Sequence, residues 1–77
     1  MPRYFFDIHD GRFIIDDVGH ELANLVEVRR ELKRLLGELA LHPDFAGDTY
    51  QVRIDVRDAN GRRVLTGSFI MAIEDAA

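Results

Sequence analysis

Two dipeptides, Asp10-Gly11 and Asn60-Gly61, decide most of what this chain can become. Each sits between two runs in which apolar and polar residues alternate, the pattern of a strand with one buried face. Such a dipeptide accepts positive φ and turns the chain back as a tight hairpin. Residues 3–9 (RYFFDIH) and 12–16 (RFIID) flank the first turn. A two-residue loop there pairs His9 with Arg12, Ile8 with Phe13, Asp7 with Ile14 and Phe6 with Ile15. One face then carries Tyr4, Phe6, Ile8, Phe13 and Ile15 and faces the core. The other carries Arg3, Phe5, Asp7, His9, Arg12, Ile14 and Asp16.

The second hairpin repeats the device. Residues 50–57 (YQVRIDVR) alternate cleanly, and the Asn60-Gly61 turn sets Val56 by Leu65, Ile54 by Gly67, Val52 by Phe69 and Tyr50 by Met71. The opposite face pairs Gln51, Arg53, Asp55 and Arg57 with Ile70, Ser68, Thr66 and Val64. Both hairpins thus present one oily face and one mixed face.

Between them lies a helical stripe of Leu25, Val28, Leu32, Leu35, Leu36 and Leu39. Asn24 and Glu27 have the spacing of a capping box, with Asn24 accepting from the first turn and Glu27 reaching back. His42-Pro43 should stop the helix, because the residue before proline is pushed out of the helical region. Residues 43–48 then form a loop, with Phe45 tucked under the helix end. Gly37 costs about 1 kcal/mol relative to alanine, which suggests close packing at that point. The expected architecture is α+β, in the order ββαββ: a four-stranded antiparallel sheet with one helix on its oily face. Two strand orders make all neighbours antiparallel, 2-1-3-4 and 1-2-4-3, and the first is preferred.

Length and composition narrow the function. Seventy-seven residues make a single domain, 1–77, and a chain this short buries only about 60–65% of its unfolded surface. Without cysteine it has neither disulfides nor thiolate metal sites. No signal peptide and no apolar run of membrane-spanning length is visible, so a cytoplasmic protein is expected. Net charge is −4, which argues against a general nucleic-acid binder. Lys33 is the only lysine among ten basic residues.

The opening MPRYFFDIHDG, the D-D-x-G-x-E-L run at residues 16–22 and the D-A-N-G-R hairpin at residues 58–62 resemble a family of short alphaproteobacterial proteins, a domain of unknown function. The resemblance spans nearly the whole chain. It implies a bacterial cytosolic origin and a short stand-alone domain, and brings no activity or catalytic residue with it. Many relatives have an acidic residue where this chain has Asn24, and both are good N-caps.

Four sets of residues are chemical candidates. Asp7, His9 and Asp16 carry metal-ligand chemistry, although a straight second strand leaves Asp16 about 7 Å along from Asp7. Ser68, His9 and Asp55 share the mixed face and form a triad on paper, without oxyanion donors or a water-excluding pocket. Arg29, Arg30, Lys33 and Arg34 make a basic helix patch able to meet phosphates, interleaved with Glu27, Glu31 and Glu38 as on a solvated helix. Finally, the mixed sheet face gathers Phe5, Ile14, Val64 and Ile70 within a rim of Arg3, Arg12, Arg53, Arg57, Asp7 and Asp55. An apolar centre with such a rim is the composition of a protein interface. The expected function is a small binding or regulatory module that self-associates or docks a protein partner through its sheet. Phe5, Ile14, Arg53, Asp55, Arg57 and Ile70 are its contact residues, and no cofactor or membrane is involved. The alternatives are a nucleic-acid-linked regulator using the basic helix face and a metal-dependent enzyme.

Overall fold

The computed structural model describes residues 1–41 and 47–76. They form an α+β fold with β1 (Arg3–His9), β2 (Phe13–Ile14), β3 (His20–Glu21), α1 (Leu25–Ala40), β4 (Thr49–Asp58) and β5 (Arg63–Ala72). All pairings are antiparallel, and the order β2-β1-β4-β5 is the preferred arrangement, in which the first and third long segments meet at the centre. One strand more than expected is present. β3 pairs with Arg3 and Tyr4 on the edge of β1 that also holds β2, so two short strands share one edge at opposite ends.

The C-terminal hairpin keeps the expected register from Thr49–Ala72 to Val56–Leu65. Its loop differs. Asp58 N–H donates to the Arg62 carbonyl at 2.8 Å, which leaves residues 59–61 as a three-residue loop with Gly61 at φ 82°. Arg57 therefore faces Arg63, and a register shift beside Val56 absorbs the extra residue. Val64 falls in that bulge and packs against the core, not on the mixed face where simple alternation put it.

In the N-terminal hairpin the same slip goes uncorrected. His9 pairs with Phe13 and Ile8 with Ile14, one residue off the two-residue-loop register. A shift of one residue exchanges the faces of a strand. Ile14 thereby joins the face of Ile8 and Ile54, which corrects its assignment to the mixed face. Phe13 moves to the outward side with His9. Phe13 and Ile15, expected in the core, are 57% and 60% exposed.

The helix packs across β4 and β5. Asn24 accepts from Glu27 N–H at 3.1 Å, while the Glu27 carboxylate accepts from Ala23 N–H at 2.7 Å, so the cap forms as the sequence indicates. Val28 and Leu32 are buried, and Leu35, Leu36 and Leu39 are half-buried. Leu25 in the first turn stays exposed, so the helix meets the sheet only from Val28 onward. Its last turn ends at Leu41, whose N–H donates to the Gly37 and Glu38 carbonyls. The stop at His42-Pro43 and the placement of Phe45 lie outside the described residues.

Gly37 is not a packing glycine, since a Cβ there would meet nothing within 4 Å. The close approach is at Gly67 on β5, where a Cβ would sit 2.9 Å from Leu32 Cδ2 and Leu36 Cδ1. Absence of a side chain in the sheet lets the helix settle over Ile54, its cross-strand neighbour. The core is Phe6, Val28, Leu32, Val52, Ile54 and Val56, centred on β4. Each such side chain contributes about 1.5–3 kcal/mol of burial, so a few residues supply most of the stability. Among the described residues, no helix is long and apolar enough to cross a membrane.

Candidate functional site

The sheet face turned away from the helix divides into two zones. In the first, the chain leaves β2 and folds residues 15–19 back over β1. Asp7 points outward by alternation, yet it is only 8% exposed because this segment covers it. Its Oδ1 accepts from Asp16 N–H at 2.9 Å and its Oδ2 from Arg57 Nε at 2.9 Å. A terminal nitrogen of Arg57 donates to the Asp16 carbonyl at 2.7 Å, and the guanidinium lies 4.5 Å above the Phe5 ring centroid. Three residues far apart in sequence thus lock one segment in place.

Asp16 completes the edge of the sheet. Between the β2 and β3 pairings no neighbouring strand accepts from β1, and the Asp16 carboxylate takes the Phe6 N–H at 3.0 Å instead. Its other oxygen accepts from Val18 N–H and Gly19 N–H, both at 3.0 Å. Partial burial opposes ionisation of Asp16, but the N–H donors of Gly19, Phe6 and Val18 together outweigh it, with help from nearby His20. The net effect holds the carboxyl below its ordinary pKa. Gly19 is required twice over: its φ is 77°, and a Cβ would stand 2.9 Å from Arg3 Cγ and Phe5 Cε1.

The second zone is open. His9 Nε2 lies 3.2 Å from Asp55 Oδ2, with an Arg53 terminal nitrogen 3.5 Å from the same oxygen and 3.4 Å from the His9 ring. Thr66 donates to Asp55 Oδ1 at 2.9 Å. The His9 ring stacks on Phe13 at 4.3 Å between centroids. Beside them is a shallow depression of about 270 Å³ lined by His9, Gly11, Gln51 and Arg53. A second, of about 200 Å³, lies at the far end of the hairpin between Thr49, Gln51, Ile70 and Ala72. Ile70 is 67% exposed.

The candidate residues sort differently from their sequence grouping. Asp7 and Asp16 do come together, closer than a straight strand permits, because the chain turns back after Ile15. All four of their carboxylate oxygens then accept protein N–H groups, and His9 belongs to the other zone. The described residues contain no group of three or more histidine or carboxylate side chains arranged to hold a metal. The serine triad is not assembled either. Arg53 pairs with Ser68 on one side and His9 on the other, so serine and histidine stand two strand spacings apart, about 10 Å. Thr66, not Ser68, reaches Asp55.

Of the six expected contact residues, Phe5 and Arg57 belong to the lock, Asp55 is held by its neighbours, and Ile14 sits on the helix side of the sheet. Arg53 and Ile70 remain open. Phe13 was missed because a two-residue loop was assumed. The lock had a legible trace: Asp16 followed by Gly19 is the arrangement of an aspartate capping the turn that follows it. On the helix, Arg34 is committed to Glu31 at 2.6 Å and Glu38 at 2.7 Å. Arg29, Arg30 and Lys33 are exposed and make no ion pair among the described residues.

One helix on an antiparallel sheet, with the opposite face half sealed by an aspartate–arginine lock and holding two shallow depressions, defines a small α+β module. The chain belongs to the family described as Domain of unknown function (DUF6894), whose model matches residues 3–70. That span contains the first hairpin, the helix, every member of the lock and the second hairpin up to Ile70. No curated protein and no solved structure matches the chain.

Proposed function

We propose that this protein is a small docking module that joins another polypeptide to its sheet. The observation that carries the reading is the state of β5. Among the described residues this ten-residue strand has a partner on one side only, and its exposed outward residues include Thr66, Ser68 and Ile70. An open strand edge offers a row of N–H and C=O groups to an added strand, while alternate side chains supply selectivity. The shallow outward zone of Gln51, Arg53 and Ile70 lies directly beside that edge and gives such a partner something to contact. Binding is favoured over catalysis because the polar groups of both zones are engaged with one another, Asp55 by Thr66 and His9 and Asp7 by Arg57.

The test compares the intact chain with a Thr66→Lys/Ile70→Lys variant as bait. Polypeptides retained by the first and lost from the second support docking through β5; equal retention overturns it. A second reading rests on Arg29, Arg30 and Lys33, whose charges lack partners among the described residues. It predicts binding of a duplex oligonucleotide that weakens steeply with salt, and no binding at low salt would overturn it.

A further inference from the structure

The two edges of the sheet are treated differently. The β1 edge is broken into two short pairings and closed between them by the Asp16 carboxylate. β5 runs uninterrupted for ten residues. Natural sheets guard such an edge with charges, prolines or a bulge that twists it away. Residues 64–73 contain no charged residue and no proline, and the only register shift lies at the turn end.

The core also runs out at this edge. Val52 and Val56 on β4 are completely buried, whereas Phe69 and Leu65, the residues facing them across the ladder, are only half-buried, as is Met71. Apolar surface on the helix side of β5 is therefore left partly in water. The ends of the strand carry opposite charge. Arg62 and Arg63 precede the uncharged stretch, and Glu74 and Asp75 follow it; all four are exposed. The nearest ion-pair partner of Arg63 is Asp55 at 3.9 Å, and the other three side chains have none among the described residues.

An edge that is basic at one end and acidic at the other complements itself when two copies run antiparallel. This is the self-matching surface that a two-fold interface requires. We propose that two copies of this chain pair β5 with β5 in antiparallel fashion, with Arg62 and Arg63 of each beside Glu74 and Asp75 of the other. The inference rests on the docking reading above and names the docked polypeptide as a second copy. Pairing satisfies the open row of backbone groups, extends the sheet across both molecules, and shields the half-buried Leu65, Phe69 and Met71. Parallel pairing would instead set like charges together at both ends.

Sedimentation and native mass spectrometry of the full chain over a range of concentrations test this. The unaltered chain is expected to dimerise, and Thr66→Lys/Ile70→Lys to shift it to monomer with its circular dichroism unchanged. The charge pattern is tested by two further variants, Arg62→Glu/Arg63→Glu and Glu74→Arg/Asp75→Arg. Each alone sets like charges together and should weaken the dimer by on the order of tenfold or more. An equimolar mixture should restore a heterodimer, which also shows that both variants fold. An unaltered chain that stays monomeric at every concentration overturns the dimer, while docking of a different polypeptide still stands or falls by the bait experiment. A dimer indifferent to both sets of substitutions places self-association elsewhere and overturns the β5 pairing.

Discussion

In the C-terminal hairpin, residues 59–61 form the loop, an extra residue is absorbed at Val64, and the strands then stay in register for eight further pairs down to Thr49 and Ala72. In the N-terminal hairpin, residues 10–12 form the loop, no bulge follows, and pairing ends after Ile8 and Ile14. Both turns hold a glycine at positive φ, 97° at Gly11 and 82° at Gly61. Turn chemistry is therefore shared, and what differs is what happens next. A bulge cancels the one-residue slip and returns Leu65, Gly67, Phe69 and Met71 to the helix side. Without one, Phe13 is left on the outward face, the second strand separates from β1 after Ile14, and the chain makes other use of the edge. The Asp16 carboxylate and the Arg57 lock are that other use.

Overfilling the bulge makes the largest break in this comparison. Insertion of one residue after Val64 forces β5 either to slip by one residue, turning Leu65, Phe69 and Met71 outward, or to strain its bulge. Stability of a chain this size is only about 5 kcal/mol, so loss of cooperative unfolding in urea is expected. A variant that unfolds like the parent would show that the bulge does not hold the register.

Arg57→Met comes next. It leaves the buried Asp7 carboxylate without its cation and releases the Asp16 carbonyl, at a cost on the order of 3 kcal/mol measured by urea unfolding. The double change Asp7→Asn/Arg57→Met should recover part of that loss, because no uncompensated charge remains. If it recovers nothing, the pair is not coupled as its geometry indicates.

A smaller effect belongs to Asp16→Asn. One amide group cannot accept from Phe6, Val18 and Gly19 together, and its NH₂ would face an N–H, so about 1–2 kcal/mol is lost at neutral pH. The folded-state pKa of Asp16 is depressed, so its stabilisation is complete above the ordinary carboxylate value of about 4 and disappears as pH falls through the lower folded value. Unfolding free energies below that pH should therefore fall less steeply in Asp16→Asn than in the parent. Equal acid slopes would mean that Asp16 is not held ionised by those donors.

The smallest effect is expected from deleting Arg12. His9 would still face Phe13, now across a two-residue Asp10-Gly11 loop, which is a favoured hairpin connection. A thermal unfolding midpoint within a few degrees of the parent, equivalent to less than about 1 kcal/mol, is the outcome anticipated. A large loss would show that the N-terminal loop, like the C-terminal one, governs more than its own turn.

Much of this fold is legible from local rules. The helix and its Asn24–Glu27 cap, the place of both turns, the core face of β4 and the long pairing of β4 with β5 all follow from periods of 2 and 3.6 and from turn residues. These depend on neighbours within a few positions, so a single sequence contains them. Other features depend on segments distant along the chain. Asp7 reads as a metal-ligand candidate on the rim of the mixed face until Arg57, fifty positions away, is laid beside it by β1–β4 pairing. Phe5 and Arg57 look like interface residues until residues 15–19 fold back over them. Ile14 changes face by a slip of one residue, and Gly67 acquires its reason only when Leu32 and Leu36 descend on it. Local pattern set the elements and the register of the longer hairpin; tertiary structure alone decided which polar groups would be buried together, because a buried charge is tolerated only where the fold delivers its partner.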